Sequence, residues 1–183
     1  MTTLYHKAIA ELGGVFDRID QDRVDKAVDT IAGARRIALY GCGREGLQIK
    51  GFCMRMFHLG LQVAMVGDMT TFAVGPGDLF IASAGPGALP TAEALLRVAR
   101  DAGAKTLLVT AEPQGRAAKL ADVILTIPAQ TMANDTGPDL SVLPMGSLFE
   151  GAQYILFEIM VLALRDRLAV TPEAMRANHT NLE

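Results

Sequence analysis

The chain has 183 residues, half of them apolar and only 5% aromatic, with no Trp and a net charge of −3. That length suits one domain, or one domain with a helical extension, able to bury an aliphatic core without staples. The charge excludes an electrostatic footprint for nucleic acid, and Cys42 and Cys53 offer neither a disulfide framework nor a metal-ligand spacing.

Residues 3 to about 32 place Leu12, Phe16, Ile19, Val24, Val28 and Ile31 at helical spacing and predict one or two helices. The run 36–40 is a first strand that ends in the turn Gly41-Cys42-Gly43, followed by a helix over 45–58. His58 stands at the end of that helix, where its positive form suits the dipole. Strands follow at 61–66 and 78–83, then a glycine-rich turn and a helix from Pro90 to Ala102. A fourth strand at 106–110, a short helix near 115–120 and a fifth strand at 123–127 precede a polar loop. A long helix then runs from Ser147 to Arg165. Short apolar strands alternating with helices predict a flavodoxin-like three-layer αβα sandwich, its five parallel strands ordered 2-1-3-4-5. The longest apolar stretch, Tyr154 to Leu164, contains Glu158 and is too short to span a bilayer. With no signal-peptide pattern at the start, the expectation is a cytoplasmic protein with no membrane partner.

Both glycine turns leave the carboxyl ends of strands one and three, which flank one crevice in this order. The first, Gly41-Cys42-Gly43-Arg44-Glu45-Gly46, opens a helix. Its backbone N–H groups and Arg44 suit an anion, and the same residues also fit a plain tight turn with a surface arginine. The spacing matches a dinucleotide fingerprint too, with Asp68 after the second strand as the ribose acid. The second turn, Ser83 to Thr91, offers two hydroxyls and a backbone nest around Gly85 and Gly87, or is a mere connector in which Pro90 starts the helix. Ser147 and Glu150 stand three apart at a helix start, the pattern of a capping box in which Glu150 bonds back to the Ser147 backbone. The alternative role for Glu150 is a catalytic carboxylate. His179 lies four residues from the end, where a mobile tail is the usual outcome.

At these residues the chain resembles the 6-phospho-3-hexuloisomerases, a branch of the SIS-domain family. The similarity runs through Gly41-Cys-Gly-Arg-Glu-Gly46 with Phe52-Cys-Met-Arg-Met-Phe-His-Leu-Gly60, then Val66-Gly-Asp-Met-Thr-Thr71. It continues through Leu143-Pro-Met-Gly-Ser-Leu-Phe-Glu150 and Asn178-His-Thr-Asn-Leu182. The resemblance implies a single SIS domain over 1–183, with N-terminal helices to 32, an αβα core over 33–170 and a tail carrying His179. It implies an oligomer, dimer or tetramer, that needs no metal, nucleotide or other cofactor. The implied reaction interconverts a 3-ketohexose 6-phosphate and fructose 6-phosphate through an enediolate, with Glu150 as base and His179 assisting proton movement at oxygen. A tail histidine far from its own crevice could serve a neighbouring subunit. Substrate binding then falls to Gly41, Gly43, Arg44, Glu45, Thr70, Thr71, Ser83, Gly85, Gly87 and Thr91.

Two departures from the family pattern strike the phosphate side. Glu45 stands where the family has Ser, and at about 4 Å a carboxylate repels each unit of phosphate charge by roughly 4 kcal/mol at an effective dielectric near 20. The loop from Ser83 to Thr91 is longer than the family's and carries Pro86, which lacks an N–H. Alternative readings are a non-catalytic sugar-phosphate-binding module, or an isomerase of an unphosphorylated or acidic sugar.

Overall fold

The computed structural model describes residues 2–138 and 140–182. Two helices, α1 (Leu4–Phe16) and α2 (Gln21–Ala32), lead into β1 (Ile37–Tyr40) and α3 (Gly43–His58). They are followed by β2 (Val63–Met65), β3 (Leu79–Ser83), α4 (Pro90–Asp101), β4 (Lys105–Thr110) and β5 (Val123–Thr126). The chain closes with α5 (Ser147–Arg167) and α6 (Pro172–Ala177). The strands form one parallel sheet in the order β2-β1-β3-β4-β5, as the alternation of strands and glycine turns predicts.

Alternation along the strands sorts the core onto two faces. Ile37, Leu39, Leu79, Ile81, Leu107 and Leu125 share one cluster with side chains from α2, α3 and α5. Ala38, Phe80, Ala82 and Leu108 point the other way, against Leu96 and Ala99 of α4. A sheet covered on both faces explains why β3 is buried along its whole length. By length and composition α5 could cross a membrane. In the fold it packs against α1, α2 and α3.

Several boundaries differ from the sequence expectation. Helix α3 starts at Gly43 rather than 45, because extended Cys42 already serves as its N-cap. Strand β2 is three residues long, and the helix expected near 115–120 is a single 3₁₀ turn, Ala118–Leu120. The segment 171–183, expected to be a tail, contains α6. The Thr171 hydroxyl accepts from Ala174 N at 3.2 Å, and Pro172 fills the first helical position, a start signal strong enough for a short helix.

One buried carboxylate pins the amino end of β3. Asp78 accepts from Arg35 Nε at 2.9 Å, Arg36 Nη2 at 2.8 Å and Gly75 N at 3.0 Å. The two guanidinium groups hold its carboxyl well below the usual carboxylate range. That contribution is complete above the unfolded-state pKa and fades as pH falls through the folded one. Asp78→Ala should therefore destabilise the protein by about 3 kcal/mol at neutral pH, read by urea denaturation. The difference from wild type should shrink in strong acid.

Candidate active site

The crevice at the carboxyl ends of β1 and β3 is assembled from three chain segments. At the first turn the backbone crosses itself so closely that a Cβ on Gly46 would lie 2.6 Å from the Gly41 carbonyl oxygen. Glycine is required there for packing. The next segment is the loop before α5, where Met145 (φ 55) and Gly146 (φ 81) are both left-handed. Gly146, not Ser147, is the N-cap of α5, and no side chain caps it. The expected capping box is thus absent.

Arg44 accounts for the difference. Its Nε lies 3.0 Å from Glu150 Oε2, its Nη1 donates to Ser147 Oγ at 2.7 Å, and its Nη2 donates to the Met145 carbonyl. A guanidinium outbids a neutral backbone N–H for a carboxylate and a hydroxyl. It ties the start of α3 to the start of α5 and sets Glu150 at the mouth of the crevice, with its side chain 15% exposed. Partial burial raises the pKa of Glu150, Arg44 opposes the shift, and the nearby charge of Glu45 adds to it.

Glu45 faces inward. Its Oε2 accepts from the Ser83 hydroxyl and, at 2.9 Å, from Gly85 N, which also lies 3.1 Å from Oε1. Burial pushes its pKa up, against the pull of these donors. Ser83 in turn accepts from Gln153 Nε2 at 2.8 Å. Gln153 is fully buried on α5, one turn beyond Glu150. Its part is absent from the sequence expectation; the only signal is an amide inside an otherwise apolar helix stripe.

The remaining expected residues divide. Gly87 is buried in the same loop, packed against Glu112 and Gly115. Thr91, exposed at the start of α4, stays beside the Tyr40 hydroxyl at the end of β1. Thr70 is exposed beyond β2, and Thr71 donates to the carbonyls of Met65 and Asp68, closing its own turn. His179 lies at the far end of α3, its ring 5.0 Å from that of His58, while Asn178 Nδ2 donates to the His58 carbonyl at 3.0 Å. The sixteen residues of α3 put that place roughly 22 Å from Gly43. Within one chain His179 does not meet Glu150.

The two thiols differ in the same way. Cys42 is half-buried beside the Tyr40 hydroxyl at 2.9 Å, whereas burial pushes the Cys53 thiol up to about 11. Ellman's reagent should modify Cys42 in the native protein and Cys53 only after unfolding; equal rates would contradict this burial.

A doubly wound parallel sheet with glycine turns, an arginine and two carboxylates at its switch point defines a small-ligand-binding α/β protein with acid–base capacity. The family model for the SIS domain matches residues 30–149, and the chain belongs to that family. It is 33% identical over 177 residues to the 3-hexulose-6-phosphate isomerase of Methylomonas aminofaciens, covering 96% of each chain. The protein of the same name from Mycobacterium gastri is 32% identical over 173 residues, covering 94% of this chain and 86% of the relative. The crystal structure of a hypothetical protein superposes with a TM-score of 0.89 at 26% identity, over 98% of this chain and 95% of that one.

Proposed function

We propose that the protein is a 3-hexulose-6-phosphate isomerase, interconverting a 3-ketohexose 6-phosphate and fructose 6-phosphate. The observation that carries this reading is Glu150, a half-buried carboxylate held by Arg44 at the mouth of the switch-point crevice. Glu150 takes the proton from the hydroxyl-bearing carbon beside the ketone, and the C–H electron pair flows into a 2,3-enediolate. The same carboxyl group returns a proton to the former carbonyl carbon. A base with a raised pKa suits this task, since it must also act as the acid that completes the step. Arg44, 3.0 Å from Glu150, supplies a positive charge that favours the enediolate oxygens.

The proton that passes between the two oxygens needs a second group, and His179 of a neighbouring copy is the candidate. Leu47, Met54 and Phe57 of α3 and Tyr154, Ile159 and Leu162 of α5 are exposed apolar side chains, Tyr154 at 56%. Such a face on two helices supports association with a second copy of this chain. Light scattering should return at least a dimer at micromolar protein; a monomer would remove His179 from the mechanism.

Turnover tests the reading. The purified protein should convert a 3-ketohexose 6-phosphate into fructose 6-phosphate, detected by coupling to phosphoglucose isomerase and glucose-6-phosphate dehydrogenase. Absence of any product from folded protein would contradict it.

A further inference from the structure

We propose that Glu45 is the specificity-determining residue of the crevice, a resident anion in the seat that a substrate phosphate needs, so that phosphosugar binding takes up a proton at Glu45. The inference rests on the isomerase reading and adds to it how this chain admits its substrate.

The seat is the second glycine turn, and its donors are already committed. The Ser83 hydroxyl and Gly85 N both donate to the Glu45 carboxylate. Ser83 has a single hydrogen, and Gln153 Nε2 donates to its oxygen, so that hydrogen goes to Glu45. The seat is tight: a Cβ on Gly85 would lie 2.8 Å from Glu45 Oε1. Buried Gln153 also keeps an Oε1 with no partner among the described residues, an acceptor pointing to a donor that the crevice itself lacks.

Among the described residues no free cation offsets the charge there. From α3 the neighbouring charge is Arg44, whose donors go to Glu150, Ser147 and the Met145 carbonyl. From α5 it is Glu150, a second anion. The first turn adds the Cys42 thiol and the Tyr40 hydroxyl, which face each other, and beyond Gly87 lies Glu112. Ser83, Gly85 and Gln153 are neutral. A phosphate entering this surrounding meets carboxylates, and protonating Glu45 is the change that removes the nearest one. It also turns an acceptor into an O–H donor for a phosphate oxygen. Burial already favours that protonated form.

Calorimetry with glucitol 6-phosphate, which cannot isomerise, tests the proposal at about pH 8, where the phosphate is dianionic. Titrations in two buffers of different ionisation enthalpy count the protons exchanged. Wild type should take up about one proton on binding. Glu45→Ser and Glu45→Gln should take up none, and Glu45→Ser should bind about 100-fold tighter. The glutamine variant keeps the side-chain volume, so the proton count stays readable if serine loosens the fold. Equal affinity and equal proton count in all three proteins overturn the role of Glu45 and leave the isomerase reading intact. If none of the three binds and none turns over a 3-ketohexose 6-phosphate, both fall.

Discussion

Glu150→Gln should lower kcat for isomerisation about a thousandfold while leaving the fold in place. Glutamine keeps the length of the side chain and a carbonyl oxygen for Arg44 Nε, so the link between α3 and α5 persists. The pair is half open to solvent on the arginine side, which limits the loss of stability to about 1 kcal/mol. A thermal melt near that of wild type, together with lost turnover, separates catalysis from support of the helix start. The pH profile carries a second signature. A base must be ionised to accept the proton, so the rate falls as pH drops through the Glu150 pKa. Burial raises that pKa against the opposing charge of Arg44, so the acid limb should lie on the high side of an ordinary carboxylate. Turnover unchanged in Glu150→Gln would reduce the residue to an anchor for Arg44.

The second large effect concerns His179. If the histidine serves a neighbouring subunit, His179→Ala and Glu150→Gln are each nearly inactive alone but complement when mixed. In a mixed dimer one site lacks both groups and the other has both. Random reassembly of equal amounts should therefore restore about a quarter of wild-type activity. A site built within one chain gives no recovery at any ratio. The distance along α3 from Gly43 to His58, against which the His179 ring packs at a tilt, argues for the shared site.

The fold was legible in the sequence because its signals are local. Apolar runs such as 79–83, each followed by a glycine turn, define strands and crossovers, and the parallel order follows from the handedness of such connections. The site was legible only in part. The glycine turns, Arg44 and Glu150 meet in one crevice as the spacing and the family resemblance imply. The destinations of the side chains were not readable, since they depend on partners distant in sequence. Ser147 and Glu150 match a capping box, yet Arg44, about a hundred residues earlier, takes both. Glu45 was equally able to face solvent until the approach of Ser83 and Gly85 gave it three short contacts inside. Gln153 and Asp78 were silent for the same reason: a polar residue in an apolar run shows that it is satisfied, not by what. Helix α6 escapes the sequence reading although Thr171 and Pro172 announce it, because its six residues are too few for a periodic pattern and only Met175 packs on the core.

The most direct test of the central claim follows the hydrogen that moves. Fructose 6-phosphate incubated with the protein in D2O should lose its proton signal at C3, because a 2,3-enediolate picks up deuterium from solvent on its way back. Glu150→Gln should abolish the exchange. Exchange at C1 instead would identify an aldose–ketose isomerase, and no exchange at either carbon from folded protein would contradict isomerase chemistry on this substrate.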